Sequence, residues 1–126
     1  MNLVDSSGWL EYFAEGPNAG FFAPPIEDTP NLLVPTICLL EVFKRVLRQR
    51  DEDAAMRAVG TMQQGQVVDL DRATAVAAAK TGVATRLPLA DSVILATARF
   101  HNAVVWTQDA DFEGLSGVKY RRKPGR

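Results

Sequence analysis

The chain is poor in the side chains that build cross-links and zinc centres: it has one cysteine, Cys38, and one histidine, His101. A lone cysteine forms no internal disulfide, which fits a reducing compartment, so the expected location is cytoplasmic. Its neighbours Ile37, Leu39 and Leu40 are apolar, so packing is its expected role. With no Cys/His set, nothing favours zinc. Neither sign of charge is in surplus. Fourteen Lys and Arg against 15 Asp and Glu give a net charge of −1, which excludes a general basic coat and leaves local patches open. No apolar run approaches the roughly 20 residues that span a bilayer. Arg99 and His101 interrupt the best candidate, "VILATARFHNAVVW", so no membrane role is expected. "MNLVDSSGWL" also lacks the basic start and apolar stretch of a secretory signal. Internal repeats, heptads and low-complexity tracts are missing as well.

What remains is 126 residues, 47% of them apolar. That reads as a single domain, 1–126, able to bury about two-thirds of the surface its unfolded form exposes. "MNLV" reads as a strand and "SSGWLEYFAEG" as a helix with serine at its start and glycine beyond its end. Residues 16–31 carry four of the seven prolines together with Phe21 and Phe22, and read as a loop or a broken helix. "LLV" is a strand; "TICLLEVFKRVLRQR" and "DEDAAMRAVGTMQQG" are helices. "QVVDL" is a strand, then "DRATAVAAAKTGVATR" and "LPLADSVILATARFHN" are helices, with Pro88 near the start of the second. The strand "AVVW", a short helix "ADFEGL" and the strand "GVKY" complete the chain. Strands alternate with helices, and "LLV", "QVV" and "AVVW" show no polar alternation, as in a sheet buried on both faces. The expected fold class is α/β: a three-layer α/β/α sandwich with a parallel sheet of four or five strands.

In such sheets, ligands bind beyond the carboxyl ends of the strands. Asp5 directly follows the first strand; Asp109 and Asp111 directly follow "AVVW". Glu41 lies near the start of its helix, and Asp91 lies in the first turn behind Pro88. Each acid has an ordinary explanation too. Asp5 could cap a helix, although Ser6 and Ser7 are available for that. Glu41 could pair with Arg45, and Asp91 could complement a helix dipole. Asp109 could be a cap, leaving Asp111 as an acid in a first turn. Jointly they say more. Two carboxylates about 4 Å apart repel by roughly 4 kcal/mol at an effective dielectric of 20. Clustering them raises their pKa values or calls for cations, and an all-oxygen set suits Mg²⁺ or Mn²⁺. Thr107 ends its strand with a hydroxyl that could orient a carboxylate or a water.

These residues sit in "LVDSSGWLEYF", "LLVPTICLLEVFKRVL", "LPLADSVILATA" and "VVWTQDADF". In that order, over essentially the whole length, the chain resembles the PIN-domain ribonucleases, specifically the VapC-type toxins of toxin–antitoxin pairs. The resemblance carries the family's acids over to Asp5, Glu41, Asp91 and Asp109, with Asp111 as a second acid of the last motif. Thr107 matches the hydroxyl position before that motif's acid, and Ser6 a small polar residue beside the first aspartate. It implies an endoribonuclease dependent on Mg²⁺ or Mn²⁺ that cuts RNA with an activated water. It also implies a homodimer held inactive by an antitoxin.

RNA would be held by its phosphates, and Lys44, Arg45, Arg48, Lys80, Arg86 and the tail "YRRKPGR", with Tyr120, are the candidate contacts. Trp9, Tyr12, Phe13, Phe21 and Phe22 are candidates for an antitoxin surface, with Trp9 and Phe13 reading better as core and Phe21 and Phe22 better as the surface. His101 reads as a helix-end or surface residue. Two alternatives stand: a receiver-like, phosphate-handling domain using Asp69 and Asp71, and a non-catalytic module on the PIN fold.

Overall fold

The computed structural model describes residues 1–125. The elements, in chain order, are β1 (Asn2–Val4), α1 (Ser6–Phe13), α2 (Ala19–Glu27), a 3₁₀ turn (Thr29–Asn31), β2 (Leu32–Pro35), α3 (Thr36–Gln49), α4 (Glu52–Met62), β3 (Gln66–Val68), α5 (Arg72–Thr85), α6 (Leu89–Phe100), β4 (Val104–Thr107), a second 3₁₀ turn (Ala110–Phe112) and β5 (Val118–Tyr120). The five strands pair in the order β3-β2-β1-β4-β5, and every pairing is parallel. The result is the expected three-layer α/β/α sandwich. Leu3, Val4, Leu32, Leu33, Val34 and Val105 on the central strands are all essentially inaccessible.

The chain steps outward from β1 to β2 and β3, then returns to the other side of β1 to form β4 and β5. The sheet therefore changes direction between β1 and β4, and in open α/β sheets a crevice forms at that point. Val4 pairs with Trp106, so Asp5 and Thr107 emerge side by side at the carboxyl edge.

Of the two readings of residues 16–31, loop or broken helix, the helix is the one found: α2 forms there with Pro24 and Pro25 inside it, and the 3₁₀ turn follows. Each proline withdraws an N–H from the helix ladder, at a cost of roughly 3 kcal/mol. Burial of Phe22, Pro25 and Ile26 offsets this, since tertiary packing supplies most of a helix's stability. Gly8 of α1 makes that packing possible: a Cβ there would lie 2.6 Å from both the Phe22 ring and Val4. Two expectations need correction. First, Phe21 and Phe22 are not a free partner surface. Phe22 is fully buried, and Phe21 packs against Trp106 with ring centroids 5.1 Å apart. Second, β3 stops at Val68 and is an edge strand whose Gln66 and Val67 are exposed, so it is not buried on both faces.

Helix starts agree more closely with expectation, with one substitution of roles. Asp5, not a serine, caps α1, and Ser6 is its first residue. Asp71 caps α5 through the Thr74 N–H at 2.8 Å, and is held below the usual carboxylate range by that bond and, more weakly, by His101. His101 itself is the exposed C-cap of α6. Among the described residues no helix is long and apolar enough to cross a membrane.

Candidate functional site

Five elements bring acids to the carboxyl edge. Asp5 arrives on the end of β1, Glu41 in the second turn of α3, and Asp91 in the first turn of α6. Asp109 follows β4, and Asp111 lies in the 3₁₀ turn after it. Asp5, Glu41, Asp91 and Asp109 line one cleft of about 470 Å³, with Ser6, Ser7, Lys44, Arg45 and Arg48. Carboxylate oxygens of Asp91, Asp109 and Asp111 all lie within 4.8 Å of one another. Lys80 and Arg86 do not line the cleft. Of the basic tail, Arg126 lies outside the described residues.

Hydroxyls and backbone amides hold these acids in place. Thr107 Oγ1 donates to Asp5 Oδ2 at 2.6 Å, and Ser7 Oγ and the Gly8 N–H donate to Asp5 Oδ1 at 2.8 and 2.9 Å. The same Thr107 Oγ1 accepts from the Asp109 N–H at 2.9 Å, so one hydroxyl ties two of the acids together. Ser6 Oγ donates to Glu41 Oε1 at 2.6 Å. Asp109 Oδ1 accepts from the Asp111 N–H at 2.9 Å, so Asp109 caps the short turn as well as facing the cleft. Cys38, packed beneath, is fully buried, and burial pushes its thiol up out of the reactive range.

The electrostatics carry the cost of this convergence. Burial pushes Asp5 up to about 6, against the three hydrogen bonds that favour its ionised form, with the nearby Asp109 charge adding to the rise. Asp91 is pushed up to about 7, first by burial, then by the charges of Asp109, Asp5 and Glu41, and by a hydrogen bond with Asp109. A hydrogen bond between two carboxyl groups needs a proton on one of them. A divalent cation would meet the same need with more charge. Hard oxygen donors in this number suit Mg²⁺ or Mn²⁺, so the donor set fits such an ion.

The receiver-like alternative does not agree with this arrangement, because Asp71 is committed to the start of α5 and neither Asp69 nor Asp71 lines the cleft. Pattern reading did not find Ser7, whose hydroxyl matters here only because β1 and α1 join so tightly. Nor did it find Gln108, which is buried beside the acids.

Solved structures share this architecture. A toxin–antitoxin complex from Klebsiella pneumoniae superposes with a TM-score of 0.78 at 22% identity, over 94% of this chain and 96% of that one. DNA-bound VapBC from Salmonella typhimurium gives 0.73 at 16%, over 97% and 98%. VapC20 from Mycobacterium tuberculosis, described as a sarcin–ricin loop cleaving toxin, gives 0.72 at 17%, over 94% and 98%. No curated protein sequence matches the chain. At these identities the likeness establishes the fold alone, but the family model for the PIN domain matches residues 3–118, from the strand before Asp5 to the strand beyond Asp111. With acids from β1, α3, α6 and the end of β4 meeting at one edge, and that match spanning all of them, the chain belongs to the PIN domain family.

Proposed function

We propose that the protein is an endoribonuclease dependent on Mg²⁺ or Mn²⁺, and the toxin of a toxin–antitoxin pair. The observation that carries this reading is the meeting of Asp91, Asp109 and the exposed Asp111 within 4.8 Å, at a cleft lined by Asp5, Glu41, Asp91 and Asp109. Those five side chains would hold the ion. When bound, it supplies Lewis-acid polarisation of a phosphodiester oxygen and makes a water more acidic. Thr107, Ser7 and the Gly8 N–H keep Asp5 aimed into the cleft, and Ser6 does the same for Glu41. A carboxylate not engaged by the cation can take the attacking water's proton. Lys44, Arg45 and Arg48 sit on the cleft wall, where they can pair with RNA phosphates.

Water attack at phosphorus with loss of the 3′ oxygen leaves a 5′ phosphate and a 3′ hydroxyl. For the protein partner, a groove of about 540 Å³ runs between α1 and the α3–α4 pair. Its floor includes Leu10, Phe13, Val46 and Ala58, and Arg45, Arg50 and Arg57 stand along it. An amphipathic helix with acidic flanks fits that lining, and the similar structures include toxin–antitoxin complexes. A homodimer is part of the same reading. Val83 and Leu89, 85% and 87% exposed, are apolar surface available to a second copy.

The test is expression of this chain alone, scoring growth and mapping the new RNA ends. Growth arrest with discrete 5′-phosphate ends is expected, and both should vanish in Asp91→Asn. Normal growth with intact RNA, or ends bearing a 2′,3′-cyclic phosphate, would contradict the reading.

A further inference from the structure

Between Thr107 and Asp109 stands Gln108, whose side chain enters a buried polar cluster, where its Nε2 donates to the Ser7 carbonyl and to Glu11 Oε1, each at 3.5 Å. Gln108 Oε1 accepts from Asn18 Nδ2 at 3.0 Å, and both residues are 6% exposed. The same Asn18 amide donates to the Arg122 carbonyl at 3.1 Å, and the Asn18 backbone N–H donates to Glu11 Oε2 at 2.8 Å. Asn18 occupies the N-cap of α2, a position where asparagine ordinarily satisfies the helix's own free N–H groups. Here its side chain makes no capping bond. The capping explanation for an asparagine at this place therefore fails, and its amide is committed to a residue 90 positions away.

We infer that Asn18 and Gln108 form a clamp that positions the Asp109 carboxylate, a role that rests on the metal-centre reading above. The turn after β4 is already held at Thr107, whose carbonyl accepts from the Arg121 N–H at 2.9 Å and whose hydroxyl bonds both Asp5 and the Asp109 N–H. With Gln108 anchored as well, the peptide that leads into Asp109 has little freedom to rotate. Asp109 is the acid that must face Asp91 on one side and Asp111 on the other. A cation tolerates small errors in ligand placement poorly, and groups that orient ligands typically change metal affinity 10–100-fold when removed. A buried amide pair kept only for stability has a cheap substitute, because two apolar groups of similar shape can be nearly neutral.

That difference supplies the experiment. Mn²⁺ affinity is measured by calorimetric titration on wild type, Gln108→Met and the double variant Asn18→Leu/Gln108→Met, alongside thermal melting. The clamp predicts that the apolar pair stays folded, melting somewhat below wild type because the Arg122 and Ser7 carbonyls lose these donors, and binds Mn²⁺ roughly tenfold more weakly. Gln108→Met, which keeps the volume and loses both the acceptor and the Nε2 donor, should show a similar loss of affinity. Mn²⁺ affinity within twofold of wild type in both folded variants overturns the clamp and leaves the metal centre standing. Unfolding of both variants also overturns it, since the pair would then support the fold and not the site. A wild type that binds no Mn²⁺ overturns the metal centre and the clamp together.

Discussion

Thr107 Oγ1 lies 2.6 Å from Asp5 Oδ2, although 102 residues separate them in the chain. The contact exists because β1 and β4 are adjacent and parallel, so that their ends leave the sheet together. Through its second bond, to the Asp109 N–H, the same hydroxyl couples two segments that line the cleft. Thr107→Val keeps the shape and leaves Asp5 Oδ2 and the Asp109 N–H without this partner. Stability should fall by about 1–3 kcal/mol, the cost of unpaired buried polar groups. Asp5 should ionise at still higher pH, and Mn²⁺ affinity should fall roughly 10–100-fold. Thr107→Ser should retain most of both. Calorimetric titration of the two variants distinguishes them, and equal affinities would remove Thr107 from the site.

Asp91→Asn should be more stable than wild type when cations are withheld. It removes one charge from three that lie within 4.8 Å, a relief of about 1 kcal/mol once solvent screening at this half-buried site is allowed for. For a chain of this size, that is a rise of roughly 3–5 °C in Tm at pH 8 in EDTA. The same substitution should abolish cleavage. Melting curves with circular dichroism check the first claim; a lower Tm would mean that Asp91 is held by something other than its acid neighbours.

Stability should also depend on pH in a definite direction. Asp5 and Asp91 are raised from an ordinary 3.8 to about 6 and about 7. Between about pH 4 and 7 the folded chain therefore holds protons that the unfolded chain has released. Stability is fully present below about pH 4, declines as pH climbs through about 6 and 7, and levels off above. A bound Mn²⁺ would favour the ionised form, so its stabilisation should be largest above pH 7 and small near pH 5. Melting wild type and Asp91→Asn over this range, with EDTA and with Mn²⁺, checks the sign. Equal slopes in the two proteins would contradict it.

Gly8→Ala should destabilise by about 1–3 kcal/mol, as overpacking does. The added methyl would meet the Phe22 ring and Val4, which are both fully buried and cannot withdraw. Chemical denaturation measures this. A loss below about 0.5 kcal/mol would mean that α2 can shift away from α1 freely.

Much of this architecture could be read from pattern, and the parts that could not have physical reasons. The strand β4 and the acids after it were legible because an apolar run ends abruptly in Thr107, Asp109 and Asp111. The parallel layout followed from alternation, and it placed Asp5 beside that corner. For α2 the choice between loop and broken helix stayed open, because Pro24 and Pro25 argue locally against a helix, while what stabilises it, Phe22 against Gly8, is a tertiary contact. The expectation that Phe21 and Phe22 face a partner failed for the same reason. Asn18 and Gln108 carry no local signal, since two amides 90 residues apart match no motif. Asp5 was read as a choice between cap and ligand, and the structure gives it the cap while also turning it toward the cleft.

Acids from five elements would hold a divalent cation for RNA cleavage, and this is the proposal to test. Its most direct measurement is cleavage of end-labelled RNA by the purified protein, with Mg²⁺ or Mn²⁺ titrated in and then removed by EDTA. No cleavage without the ion, cleavage that rises and saturates with it, and 5′-phosphate products are expected. Cleavage at an undiminished rate in excess EDTA, or by a folded Asp91→Asn variant, would contradict it.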